Sequence, residues 1–265
     1  MPAPGDGPQP LQARQETHAS CGVFARTLRD YASQHEDGPV TLLEAGCGRP
    51  AGSTGYLGVD KLRAGGLDIR VTGVDHDHPL TREVSAARAD LHSFTLGDLR
   101  TVPLAPRAFD IVHCAGLLER IHHVELILDR FVAALKPGGL FLLRTADRDC
   151  AAGVVDRFSA ALSRRARELA WQRLRPNEPG PYPAVYEPIV CGPGIQGYAM
   201  MRGLVIAERL AVRRPDREPG PWARAFATAC RVAAGASRGR YTDAHDELLF
   251  VMRKPEDRFA RILQC

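Results

Sequence analysis

The chain is short of several things, and each shortage removes a class of protein. Among 265 residues lysine occurs three times, at Lys61, Lys136 and Lys254, and 32 of the 35 basic residues are arginine. With abundant Ala, Gly and Pro, that skew matches a high-GC bacterial genome and carries no mechanistic content. A formal net charge of +4 is too small to argue for a nucleic-acid partner. The seven cysteines form no CxxC pair, so neither a zinc site nor a disulfide framework is indicated. Reduced thiols point to the cytoplasm. No apolar run approaches the ~18 residues that span a bilayer. Met1 to Pro10 lacks the basic start and apolar centre of a secretory signal. There is no internal repeat, and the Asn-Pro-Pro-Tyr motif of amide-directed nucleic-acid methylation is missing.

What is present is ordinary globular material, 45% hydrophobic and 25% charged. Residues 1–19 are rich in Pro, Gly and Gln and offer little apolar surface to offset ordering entropy, so a disordered arm is expected there. Residues 20–265 read as one domain. Val23, Phe24, Leu28 and Tyr31 share a helical face. Apolar runs at Val40–Ala45, Ile69–Val74, Ser93–Leu96, Phe109–Cys114 and Leu140–Arg144 then read as strands. A helix carrying Val124, Ile127, Leu128, Phe131 and Leu135 precedes the last of these and stops at Pro137-Gly138-Gly139. Further on, a helix from about Val154, a Pro/Gly-rich stretch from Pro176 to Gly197, a strand at Leu204–Val212, a helix around Trp222–Val232 and a strand at Glu247–Met252 complete the pattern. Strands alternating with helices give an α/β fold with a mostly parallel sheet.

Open parallel sheets bind ligands at the carboxyl ends of their strands. The first strand empties into Glu44-Ala45-Gly46-Cys47-Gly48, where glycines admit a ligand to the backbone. Gly46 to Ala51 also satisfies the GxGxxG/A dinucleotide pattern. Glu44 before the glycines would repel a pyrophosphate, however, and Pro50 disrupts the turn. A carboxylate at this point suits a ligand with a cationic amine. Asp75 ends the second strand, where an acid can accept both ribose hydroxyls. Asp98 follows the third, able to accept from an adenine amino group, with apolar Leu99 beside it. Each acid alone is as well explained as a turn or cap residue; the three at successive strand ends favour a site.

These runs, in this order, resemble the class I S-adenosylmethionine-dependent methyltransferases. They are Leu42–Gly48, Val71–Asp75, Gly97-Asp98-Leu99, Phe109–Cys114 with Leu117-Leu118-Glu119, and Leu135–Gly139. The resemblance covers residues 40–146. It implies a Rossmann-like seven-stranded sheet with helices on both faces and the last strand antiparallel. It also implies S-adenosyl-L-methionine as cofactor. The missing Asn-Pro-Pro-Tyr motif, the lack of an apolar span and the scattered cysteines point to a small-molecule methyl acceptor, a specialised metabolite or a glycan building block, with no nucleic acid, membrane or metal. By the same resemblance Glu44, Ala45, Gly46, Cys47 and Gly48 would line the methionine part. Asp75 would hold the ribose, with His76 at the adenine edge; Asp98 and Leu99 would frame the adenine, and Cys114 and Ala115 would pass beneath the cofactor. Two departures stand out. Arg49-Pro50-Ala51 replaces a short glycine turn, deferring the next helix to about Tyr56, and Arg120 stands where related sequences often carry His.

On the acceptor side, His122 is the candidate general base, though a His pair here also fits a helix-start surface. Residues 151–197 are an insertion over the active face, with Tyr182, Tyr186 and Glu187 on a proline-stiffened loop that is either a cover or a rigid connector. Arg164, Arg165 and Arg167 read as a solvated face or an acidic-substrate groove. His113 reads as buried structure and His245 as solvent-facing. The rival functions are a nicotinamide-dependent oxidoreductase and an inactive methyltransferase-fold binding subunit.

Overall fold

Continuous apolar runs need cover on both faces, and the chain supplies it by interleaving helices between its strands. The computed structural model describes residues 19–35, 38–48, 57–162, 183–213 and 221–256. Helix α1 (Ala19–Gln34) precedes β1 (Val40–Ala45); α2 (Val59–Ala64), β2 (Ile69–Asp75), α3 (Pro79–Ala87), β3 (Ser93–Leu96) and β4 (Phe109–Ala115) follow. After a 3-10 turn (Leu118–Arg120) come α4 (Val124–Ala134), β5 (Leu135–Ala146), α5 (Ala151–Leu162), α6 (Gly192–Met201), β6 (Val205–Val212), α7 (Pro221–Ala236) and β7 (Glu247–Arg253).

The sheet order is β3-β2-β1-β4-β5-β7-β6. Strands β1 to β5 pair in parallel, while β7 runs antiparallel between β5 and β6. The expected seven-stranded, mostly parallel sheet is therefore present. One core lies between the sheet and α4 and α6, around Phe131, Phe141, Tyr198 and Phe250. The other lies under α1 and α2, around Phe24, Leu28, Leu62 and Leu142. Five cysteines, Cys47, Cys114, Cys150, Cys191 and Cys230, are buried free thiols.

Two elements differ from the sequence reading. Strand β5 begins at Leu135, not Leu140, because helix α4 runs straight into it; Leu135 pairs with Phe109 and Leu140 with Ile111. The intervening Lys-Pro-Gly-Gly is taken up as a bulge, with Gly138 at φ +79° and no room for a Cβ at Gly139 beside the Asp110 carbonyl. Helix α6 lies inside the stretch read as Pro/Gly-rich. Its Pro193 sits in the first turn, where a missing N–H costs nothing, and the Cys191 sulfur accepts from the Gly194 N–H.

Two motif residues serve the opposite edge of the sheet. The buried Asp110 carboxylate accepts from Lys136 Nζ at 2.8 and 2.9 Å, from Thr41 Oγ1 at 2.6 Å and from Tyr31 at 3.3 Å. Burial pushes that carboxyl up, but Lys136 and Thr41 outweigh it and hold it below the usual range. The cluster ties α1, β1, β4 and β5 together. Residues 1–18, 49–56 and 163–182 lie outside the described residues. The expected arm, Arg49-Pro50-Ala51, Tyr56, the three arginines from Arg164 and Tyr182 therefore have no structural account.

Candidate functional site

The glycine turn is shaped by close approach. Gly46 has φ +93°, a conformation that favours glycine, donates to the Val74 carbonyl at 2.8 Å and lies against the Ala115 carbonyl and Leu117. At Gly48 a Cβ would collide with Thr81 on α3. Gly48 N–H donates to Asp75 Oδ2 at 2.8 Å, and His76 N–H donates to Asp75 Oδ1 at 2.7 Å. Asp75 thus joins the end of β2 to the turn after β1. The Cys47 side chain points into the core, with Sγ 3.5 Å from Ser85 Oγ, and burial pushes its thiol up to about 12. Backbone, not side chain, is what this turn offers a ligand.

Glu44 is fully buried, and its partner is Arg88, just after α3. Arg88 donates to both carboxylate oxygens, at 3.0 and 2.7 Å, to the Cys47 carbonyl at 2.9 Å, and on to Asp90 at 2.5 Å. Burial disfavours the guanidinium charge, but Asp90 and Glu44 more than restore it and raise its pKa. The acid expected to meet a cationic amine is therefore already engaged by an arginine.

At the third strand end, Asp98 is bound by Arg100 at 2.6 Å. The side-chain and backbone hydrogen bonds from Arg100, with His76 nearby, bring its carboxyl down to about 2. His76 is exposed, and Leu99 is buried behind Asp98. Cys114 and Ala115 close β4 as buried residues. Gly116, at φ +62°, then turns the chain and donates to the Arg144 carbonyl. The structure thus gathers Ala45–Gly48, Asp75, His76, Asp98, Leu99, Cys114 and Ala115 along one edge of the sheet.

The acceptor candidates are also adjacent to one another. His122 lies in the turn before α4 with its side chain 73% exposed and Nδ1 3.9 Å from Glu187. The Glu187 carboxylate caps α4, accepting from His123 and Val124 N–H at 2.7 and 2.9 Å. Val185 and Tyr186 N–H both donate to the Glu119 carbonyl, so the 183–187 loop is strapped to the turn after β4. Tyr186 is itself buried and donates to Asp156 at 3.0 Å; it anchors the loop. Glu119 is buried, takes Thr145 Oγ1 on Oε2 at 3.2 Å and has Arg120 Nε 3.7 Å from Oε1.

Sequence reasoning missed several partners. His245 is not solvent-facing: it is 8% exposed and hydrogen-bonds Asp147 at 2.9 Å. The two are far apart in sequence, and only the antiparallel return of β7 beside β5 brings them together. Arg144 and Glu247 form a second buried pair on those strands, at 2.6 Å. His113 is buried, as read, but its Nδ1 has no hydrogen-bond partner among the described residues. Among the described residues no helix is long and apolar enough to cross a membrane, and no group of three or more His, Cys, Asp or Glu is placed to hold a metal ion.

A family model described as a methyltransferase domain matches residues 16–184. Among solved structures, the YcgJ protein of Bacillus subtilis is 18% identical, covered over 90% of this chain and 99% of its own, with a TM-score of 0.54. The [4+2]-cyclase SpnF is 18% identical over 87% of this chain and 80% of its own, with a TM-score of 0.52. Both likenesses concern the fold, and the cyclase carries a different chemistry on it. No curated protein sequence matches the chain significantly.

Proposed function

Since the chain belongs to the class I S-adenosylmethionine-dependent methyltransferases, we propose that it moves a methyl group from S-adenosyl-L-methionine to an oxygen or nitrogen of a small-molecule acceptor. The observation that carries this reading is the convergence of the Gly46–Gly48 turn, Asp75 and Asp98-Leu99 on one sheet edge, with the turn fixed to Asp75 through the Gly48 N–H. The residues fit the cofactor. The turn leaves no room for a side chain at Gly48, and Asp75 and Asp98 supply carboxylates able to accept from hydroxyls and an amino group.

When bound, the cofactor supplies a methyl on a sulfonium, open to in-line displacement. The chain's part is to hold and align, an effect that supplies about 7–11 kcal/mol in favourable cases. In this reading the Ala45–Gly48 backbone lines the methionine part and Asp75 accepts from the ribose. His76, Asp98 and Leu99 border the adenine, and Cys114 and Ala115 form the floor. Asp98 would share its carboxylate with the exposed Arg100, which bonds both of its oxygens. His122 takes the acceptor proton, with Glu187 close enough to stabilise the resulting imidazolium. The Tyr186–Pro188 segment, strapped to Glu119, borders the acceptor. We place the enzyme in the cytoplasm, where its buried thiols stay reduced.

A second reading, a binding subunit that performs no transfer, draws on the internal pairing of Glu44 with Arg88 and of Asp98 with Arg100. Incubation with methyl-labelled donor and pooled small-metabolite fractions separates the two. Label in an acceptor supports transfer; cofactor binding without label in any fraction supports the binding subunit.

A further inference from the structure

Two buried side chains meet where β5 ends and β7 begins. Asp147 directly follows β5, His245 lies two residues before β7, and the pairing of Ala146 with Glu247 brings them together. His245 Nε2 is 2.9 Å from Asp147 Oδ2, and both residues are more than nine-tenths covered. The corner lies on the same sheet edge as the glycine turn, since β1, β4 and β5 run parallel. The proposed transfer makes no use of it.

A carboxylate only accepts, so Nε2 carries the ring proton, and in the neutral ring Nδ1 keeps a lone pair. Nδ1 bonds to no described residue, yet it is not closed off as His113 Nδ1 is. Asp147 is itself set in place: its Oδ1 accepts from Asp149 N–H, and its own N–H donates to the Asp246 carbonyl, both at 3.0 Å. The loop that borders the acceptor in the reading above runs to this corner. At one end Val185 and Tyr186 N–H donate to the Glu119 carbonyl at 3.0 and 3.2 Å; at the other the Val190 carbonyl accepts from Arg148 N–H at 2.9 Å.

The neighbours narrow what can meet Nδ1. An anion would face the lone pair with the Asp147 carboxylate behind it. A cation would compete with Arg209, on which Asp147 acts and whose Nη2 lies so near Gly192 that a Cβ there would stand 2.5 Å away. A neutral hydroxyl meets neither penalty. We propose that His245 Nδ1 accepts a hydrogen bond from a hydroxyl of the methyl acceptor, one other than the atom that receives the methyl, with Asp147 as the positioning residue that fixes the tautomer. The assignment rests on the transferase reading given above and sharpens it: the acceptor carries at least one hydroxyl besides its nucleophile.

Initial-rate transfer by the full chain tests this, with methyl-labelled S-adenosylmethionine and a dilution series of the small-metabolite fraction that the wild type labels. His245→Gln keeps an N–H within reach of Asp147 and removes the nitrogen at the Nδ1 position. It should need about 3- to 10-fold more of the fraction for half-maximal rate, the range for one neutral hydrogen bond. Its maximal rate and its affinity for S-adenosylhomocysteine should match the wild type. An unchanged half-saturation point overturns the proposal, as does a loss confined to the maximal rate or shared with S-adenosylhomocysteine affinity. If the glutamine variant does not fold, 15N-histidine NMR of the wild-type chain decides. Titrating the same fraction into the S-adenosylhomocysteine complex should move the His245 Nδ1 resonance, assigned through its backbone connectivity, and an unmoved resonance overturns the assignment. A wild-type chain that labels no fraction instead removes the transferase reading itself, and the assignment with it.

Discussion

Arg88 holds both oxygens of Glu44 with the same guanidinium that reaches Asp90, so the acid at the mouth of β1 is neutralised from the residue that follows α3 before any ligand arrives. Removing one member of a buried pair leaves the other uncompensated, which costs about 3–5 kcal/mol. Arg88→Met should lose that much in urea unfolding. Glu44→Gln with Arg88→Met together should lose less than the sum of the two single changes. A loss below about 1 kcal/mol for Arg88→Met would show that the pair does not hold the turn.

Asp75 links the glycine turn to β2, and in the proposed function its carboxylate accepts from the ribose. Asp75→Ala should weaken S-adenosylhomocysteine binding by about 1.5–3 kcal/mol, the cost of a hydrogen bond to a charged group. Asp75→Asn, which keeps an oxygen toward Gly48, should lose less. Unchanged affinity in both variants would remove Asp75 from the site.

The buried imidazole of His113 gives a pH signature. Its folded pKa, about 4, lies below the ordinary value of 6.5. The unfolded chain therefore binds the extra proton first, and stability falls as pH drops from about 6.5 toward 4. The full effect is of the order of 3 kcal/mol. Urea unfolding at pH 7 and pH 4.5 should show most of it, and His113→Leu should flatten the dependence in that window. An equally steep fall in the variant would assign the effect elsewhere.

His122 and Tyr186 should separate kinetically. His122→Ala should lower turnover by about 10²- to 10⁴-fold with S-adenosylhomocysteine affinity unchanged, as for loss of a general base. Near-native turnover across neutral pH would exclude His122 and leave Glu119, buried against Thr145, as the next group to test. Tyr186→Ala, by contrast, removes a buried ring and its bond to Asp156, so stability should fall along with acceptor affinity.

The sheet was legible because strands buried on both faces are written as unbroken apolar runs, as in Val40–Ala45 and Phe109–Ala115. Helix α6 was not, because glycines and proline in its first turn look like a loop until Cys191 is seen to cap it. In the site, the acids and glycines at strand ends were legible since topology alone sends them to one edge. Their partners were not. Arg88 stands 44 residues from Glu44 and Asp147 stands 98 from His245, and no local pattern announces either pairing. Motif residues also divide by role in a way that spacing hides: Asp110 and Lys136 brace the edge far from the glycines.

The central claim is that this sheet edge binds an S-adenosyl compound, and calorimetry of the full chain with S-adenosylmethionine, S-adenosylhomocysteine and NAD tests it most directly. The account predicts saturable binding of the first two and none of NAD; binding of NAD alone would contradict it.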